Sequence, residues 1–385
     1  MNFDLSDEQR VLQESVREFC AREIIPNAAR WDREEHFPHE IIPAMGEMGL
    51  LGMQIPEEFG GAGMKFVDYV VAMEEVARAD ASVGLTMASH NSLCTGHIFL
   101  AGNDQQRRKY LPRLASGQVL GGWGLTEPNS GSDAGAARAR AIRTGDGWSL
   151  SGTKTFITQG SVGGIYVILA STEPALAQKG LTAFIVERGT PGFRTGRRIE
   201  KMGLHASDTT ELVLEDVKVP DSQQLGGINQ GFFDTLKILD KGRIGIGAWA
   251  VGIGRAAFEA SLKYAKDRVQ FGKPIAEFQA IQHMLADMAT ELDAARLLVW
   301  RAAFLQDQGQ RTTRESSIAK YYAARATMRA CTNAIQIHGG YGYSREFDVE
   351  RYLRDAKLGE IGEGTNEVQK MVIARELLKE WNAQA

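Results

Sequence analysis

The stretch WSLSGTKTFIT, residues 148–158, decides the fold class. It alternates and is rich in Thr, Phe and Ile, the pattern of a half-buried strand. With the preceding residue it reads GWSLSGTK (147–154), a near match to a phosphate-binding P-loop. The final Lys and Thr stand in reversed order, however, and a P-loop joins a strand to a helix rather than lying within a strand. Three further strand-like runs follow, GIYVILAS (164–171), LTAFIVER (181–188) and ELVLEDVKV (211–219), separated by Gly, Pro and Asp turns. No helical pattern lies between them, so the sheet is expected to be antiparallel and to form its own domain.

Both flanks of this region are helical. SDEQ at 6–9 is a capping box, with Ser6 as N-cap and Gln9 at N3. Leu12, Val16 and Phe19 then form one apolar face, which Pro26 is expected to close. After about residue 230 the helices are long. Phe278, Ile281, Leu285, Met288, Leu292, Ala295 and Val299 recur at steps of three and four, a bundle seam. An extended two-stranded coiled coil would need more heptads and fewer glycines. GIGRAA (252–257) resembles a dinucleotide fingerprint, but no strand precedes it. Gly245, Ala248 and Gly252 instead share one helical stripe, which implies close helix packing. The expected fold is mainly α with a middle β domain, divided at 1–120, 121–230 and 231–385.

The 385 residues are 43% hydrophobic and 24% charged with a net charge of −4, which points away from nucleic acid or an anionic membrane as the main partner. Cys20, Cys94 and Cys331 are scattered and suggest neither a disulfide framework nor a zinc site. His36/His39 and His90/His97 lack the HExxH pattern and read as structural or solvated, so no metal is expected. The N-terminus MNFDLSDEQR has no basic or apolar leader region and is too acidic for a transit peptide. No apolar run is long enough to span a bilayer. A bacterial cytoplasm, or an organellar matrix after removal of a transit peptide, is the expected location.

Five polar segments stand apart from this framework. GLTEPNSGSDAG (124–135) is a glycine-rich turn entering the strands, and KTFITQG (154–160) is an amphipathic strand. RVQFGKPI (268–275) reads as a helix C-terminus followed by a Gly-Pro turn, and QIHGGYGY (336–343) as a helix stop with αL glycines. IGEGTNEVQ (361–369) opens a last helix, with Asn366 as N-cap and Gln369 at N3. Glu363 lies there between Gly362 and Gly364. Glycine weakens helices, so a glutamate that merely decorated one would not be flanked this way. Glu363 is the candidate base, against the plainer reading of a solvated loop acid. Glu360 and Glu367 are expected to face solvent or a cofactor.

In order and spacing, LTEPNSGSD, the FIT triplet, RVQFG, QIHGG and EGTNE resemble the acyl-CoA dehydrogenase family over nearly the whole chain. The resemblance implies an N-terminal helical domain, an antiparallel barrel-like β domain and a C-terminal four-helix bundle. It also implies FAD, an acyl-CoA substrate, an electron-transfer flavoprotein as partner, and a homotetramer built as a dimer of dimers. By the same resemblance Trp123, Leu125, Thr126, Gly131 and Ser132 line the flavin, and Ser132 also touches substrate. Phe156, Ile157 and Thr158 form the wall behind the isoalloxazine. Arg268, Gln270, Phe271, Gln279, Gln336, Gly339 and Gly340 hold the neighbouring subunit's FAD. Thr365 and Glu367 begin a helix whose N-terminus turns toward the cofactor. Asp240, Arg243 and Gly364 contact the acyl-CoA.

The reaction so implied is α,β-dehydrogenation to the trans-2-enoyl thioester, with Glu363 taking the α-proton and flavin N5 the β-hydride. Burial would raise the carboxylate's pKa toward that task. One family branch carries its base at the position matching Gly242, where this chain has no carboxylate. The family often has Tyr at the position of Gly362, so a wider cavity near Cα, tolerant of branched or cyclic acyl groups, is expected. Phe156 stands where Trp is common and keeps an aromatic face. An acyl-CoA oxidase or flavin monooxygenase on the same fold, and a non-enzymatic helical interaction protein, are the competing readings.

Overall fold

The computed structural model describes residues 4–384. Ser6 caps α1 (Asp7–Phe19) through the expected box with Gln9. Pro26 does not close that segment. A π-turn at Cys20–Ile24 carries the chain into α2 (Ile25–Glu34), where Pro26 occupies the first turn, a position that needs no N–H. Next come α3 (Ile42–Glu47), α4 (Phe66–Ala79), α5 (Ala81–Ala88), α6 (Gly96–Ala101) and α7 (Asp104–Ala115). A second π-turn, Ser89–Thr95, joins α5 to α6 and is buried throughout.

Eight strands follow: β1 (Gly121–Gly124), β2 (Arg140–Thr144), β3 (Gly147–Thr158), β4 (Ile165–Ser171), β5 (Leu181–Glu187), β6 (Phe193–Arg198), β7 (Thr209–Pro220) and β8 (Gln224–Leu225). Their order is β6-β7-β3-β2-β4-β5-β8, with β1 on β4. The sheet is mostly antiparallel but not wholly so. β1 runs parallel to β4, and β2 meets β4 in parallel at Arg140 and Ser171. The helical flank reaches β1 through His90, whose Nδ1 accepts the Gly121 N–H at 3.0 Å while Nε2 lies 3.1 Å from the carbonyls of Leu51 and Leu114.

The chain then returns to helices: α8 (Gly231–Asp267), α9 (Gln279–Asp307), α10 (Thr313–His338), α11 (Val349–Ala356) and α12 (Asn366–Gln384). Between α8 and α9 a tight hairpin pairs β9 (Val269–Gln270) with β10 (Lys273–Pro274), where sequence suggested only a turn. α10 packs on α8, α9 and α12, and α8 also packs on α4. Of the expected seam, Met288, Leu292, Ala295 and Val299 are buried, while Phe278, Ile281 and Leu285 pack only partly covered against the core. The small residues of α8 serve close packing. A Cβ on Gly252 would come within 2.5 Å of the Glu74 carbonyl on α4, and one on Gly245 within 2.9 Å of the Tyr69 hydroxyl. Among the described residues no helix is long and apolar enough to cross a membrane and no metal-binding cluster occurs. The three cysteines are free and buried.

Candidate active site

Glu363 sits in a tight turn between a short 3₁₀ segment, Lys357–Glu360, and α12. The Ile361 and Gly362 N–H groups both return to the Leu358 carbonyl, at 2.9 and 2.8 Å. Glu363 then adopts φ +51° and Gly364 φ +94°. Two consecutive left-handed residues reverse the chain, and for glutamate that conformation is strained. The helix start differs from the expected box. Thr365 Oγ1 accepts the Val368 N–H at 3.3 Å and is the N-cap. Gln369 instead donates backwards to the carbonyls of Glu363 (3.3 Å) and Gly364 (2.9 Å). Asn366 Oδ1 faces Lys320 Nζ of α10, 3.4 Å away.

This turn lays the Glu363 carboxylate against α8 at Gly242, where any Cβ would overlap Oε2. The residue as a whole is half-buried, but Oε2 itself is sealed from solvent and has no hydrogen-bond partner. Burial pushes the carboxyl up to about 7, against the opposing pull of Arg243 and Lys320. The Tyr69 hydroxyl of α4, also buried and without a partner, is pushed upward by burial and by Glu363. Arg243 is buried and donates to Asp240 Oδ1 at 2.8 Å, and Asp240 Oδ2 accepts from Thr313 Oγ1 at 2.5 Å. Burial lowers the Arg243 guanidinium and raises the Asp240 carboxyl. Gly362 lies outside the left-handed region, and a Cβ on it would meet Leu358 at an ordinary 3.4 Å, so its backbone does not demand glycine. Glu367 is exposed, and Glu360 pairs with Lys357 at 2.6 Å.

The loop after β1 is organised by a buried ion pair that sequence reading missed. Glu127 accepts from Lys154 Nζ (2.7 Å) and from the N–H groups of Arg138 (2.6 Å) and Ala139 (2.9 Å). Lys154 also donates to the Leu125 carbonyl at 3.1 Å, and Thr155 N–H to Thr126 at 2.9 Å. Trp123 and Leu125 are buried, Thr126 is half-buried, and Gly131 and Ser132 lie on the open side. The β3–β7 register shifts between Lys154 and Ile157, a bulge. There Phe156 takes φ +57° and turns outward, 65% exposed, while Ile157 is buried and Thr158 half-buried. A large aromatic held outward on a left-handed backbone, next to a loop that leaves Gly131 and Ser132 exposed, suits a planar cofactor.

The other expected cofactor residues lie elsewhere. A cleft of about 560 Å³ is lined by Tyr264, Arg268, Gln270, Ile275, Gly339 and Gly340, among others, and by none of the residues around Glu363. Arg268 stacks over Tyr341 at 5.6 Å, and Phe271 projects from the hairpin tip, 95% exposed. Gln279 and Gln336 are exposed on α9 and α10. The expected αL glycines are not both present. Gly339 has φ +59° with ψ −134°, outside αL, and Gly340 has no positive φ. The chain thus carries two separate sets of exposed aromatic and polar groups.

Known proteins resemble this chain along nearly its whole length. Three family models match in chain order: the acyl-CoA dehydrogenase N-terminal domain at residues 6–118, the middle domain at 122–217 and the C-terminal domain at 229–378. The chain belongs to the acyl-CoA dehydrogenase family. An acyl-CoA dehydrogenase of Bacillus subtilis is 46% identical over 97% of this chain and 99% of its own length. Butyryl-CoA dehydrogenase from Megasphaera elsdenii superposes with a TM-score of 0.96 at 42% identity, covering 98% of this chain and 100% of that one. A structure described as the electron transferring flavoprotein of Acidaminococcus fermentans gives a TM-score of 0.97 at 42% identity, covering 98% and 100%.

The family's motifs were legible in sequence, and Gly242 and Gln369 were singled out there for other roles, but Lys320 and Tyr69 were not. Lys320 had one available signal, since it falls within a helical stripe of small residues, Ser316, Ser317, Ala323, Ala324 and Thr327, that is buried throughout. Tyr69 sits in an apolar run and looks like any core residue.

Proposed function

We propose that this protein dehydrogenates a short acyl-CoA thioester, with Glu363 as the base that takes the α-proton. The observation that carries this reading is the sealed, unpartnered Oε2 of Glu363, held by a strained turn and raised to about 7. A base must match its working pH, and a carboxylate stripped of partners accepts a proton more readily than a solvated one. The nearby Arg243 and Lys320 oppose burial and keep part of the population ionised at neutral pH. Gly242 provides the space in which the carboxylate lies.

The residues present fit FAD. Trp123, Leu125, Thr126 and Ser132 would hold the flavin from one side, and Phe156, Ile157 and Thr158 from the other. When bound, the flavin supplies the hydride acceptor. Arg268, Gln270, Phe271, Gln279, Gln336, Gly339 and Gly340 are assigned to the cofactor of a neighbouring copy, which makes the active unit at least a dimer and, by family likeness, a tetramer. The separation of the 560 Å³ cleft from Glu363 supports that assignment. Asp240, Arg243 and Gly364 would bind the thioester. An electron-transfer flavoprotein is the proposed acceptor. A short acyl chain follows from the likeness to butyryl-CoA dehydrogenase.

The test is an anaerobic titration of the purified holoprotein with butyryl-CoA and isobutyryl-CoA, beside Glu363→Gln. Wild type should bleach and the variant should bind without bleaching. Bleaching of both would mean another base, and bleaching of neither would reject a short acyl substrate. Gly362→Tyr should lower the rate on isobutyryl-CoA relative to butyryl-CoA. An unchanged ratio would reject a widened pocket at Gly362.

A further inference from the structure

Lys320 lies on α10 with its side chain wholly buried. A lone buried ammonium is costly unless its donors and its charge are both answered. Its donors are answered by the Gly364 carbonyl at 2.7 Å and Asn366 Oδ1 at 3.4 Å. Among the described residues it makes no ion pair within 4.0 Å, and Glu363 is the anion that acts on it most strongly. Gln369 Nε2 shares the Gly364 carbonyl at 2.9 Å, so α10 and α12 together grip the residue that follows Glu363.

We propose that Lys320 is the positioning residue of the base: its ammonium pins the left-handed turn through the Gly364 carbonyl and holds a buried positive charge against the residue that follows Glu363. This rests on the reading of Glu363 given above. The charges around the pair come from every element packed against it. Arg243 approaches from α8 and the Tyr69 hydroxyl from α4, while Glu360 and Glu367 flank the turn itself. Arg243 pulls harder on Glu363 than Lys320 does, but it is itself paired with Asp240 at 2.8 Å, whereas Lys320 has no ion pair within 4.0 Å among the described residues. Burial brings the lysine down to about 8, so it is still largely protonated at pH 7. A single cation removed from beside a buried carboxylate raises the carboxylate's pKa. The acid limb of the rate profile must then move to higher pH.

The experiment compares pH profiles of kcat/KM for the wild-type holoenzyme, Lys320→Met, Lys320→Gln and Lys320→Arg, with flavin content and thermal midpoint measured for each. Lys320→Met should shift the acid limb up by about one pH unit, a roughly tenfold loss at pH 6.5 that largely recovers by pH 9. Lys320→Gln keeps an N–H donor without the charge and should show the same shift. Lys320→Arg should restore the wild-type limb. If Lys320→Met does not fold, the Gln and Arg pair gives the same contrast. A uniform loss at all pH values, with the limb in place, would assign Lys320 a structural role and overturn the proposal. An inactive wild type would instead reject the dehydrogenase reading, so the two failures are distinct.

Discussion

Glu127 and Glu363 both lose water to the fold, but in opposite ways. Glu127 is met by an ammonium and two backbone N–H groups, all within 2.9 Å. Glu363 is met by a glycine, and its Oε2 has no partner. In the first case the charge is compensated and the carboxylate acts as a fastener, fixing the loop that carries Thr126 and Ser132. In the second the charge is left costly, and that cost is what makes the group a proton acceptor near neutral pH. Burial alone therefore says little about a carboxylate's role; the donors placed around it decide.

Changes at these two sites should have different signatures. The largest effect is expected from Glu363→Gln, which should lower kcat on the order of 10²–10⁴-fold while leaving flavin content intact. Stopped-flow reduction measures it directly. Lys154→Met should leave Glu127 buried and uncompensated, costing about 3–5 kcal/mol of stability in urea unfolding. If that variant unfolds at the wild-type midpoint, the fastener role is wrong.

A third measurement separates the two sites by pH. Glu363 is raised from 4.5 to about 7 in the folded state. Its protonated form favours folding below about 4.5, and that contribution is lost as pH rises through about 7. Glu363→Gln should accordingly be more stable than wild type by about 3 kcal/mol at pH 8.5, and by less than about 1 kcal/mol at pH 5. Asp355, fully buried and also raised to about 7, titrates in both proteins and cancels in the difference. The smallest effect is expected from Gly242→Ala, whose methyl must displace the carboxylate. A loss of about tenfold in kcat/KM is expected, about 1.4 kcal/mol. In the Glu363→Gln background the same substitution should add little, because the two act on one position.

Much of this was readable from residues alone, for reasons that differ by element. β3, β4, β5 and β7 are long and apolar enough for alternation to show, and the capping box at Ser6 is a local signal. β2 (RAIRT) and β6 (FRTGRR) were missed because charged residues on an exposed face erase the alternation. The parallel pairings of β1 and β2 with β4 join segments distant in sequence and leave no local trace. The π-turns are equally silent, since their five or seven residues have ordinary helical composition. At the site, flanking glycines exposed Glu363, whereas its surroundings come from α4, α8 and α10. Only the folded chain brings Tyr69, Gly242 and Lys320 to it. The cap of α12 was misassigned because Thr365 and Asn366 are both good N-cap residues, and the preceding turn chose between them.

The contact between Gly242 and Glu363 also bears on descent. A side chain at 242 and the carboxylate of 363 compete for one volume, so under the proposed assignment a base could not be gained on α8 while Glu363 keeps its place. Relocating it would pass through a sequence with neither group in working position. Such mutual exclusion is a fitness valley: each location of the base, once adopted, resists single-step exchange for the other, and lineages that share this fold would remain sorted by which of the two they carry.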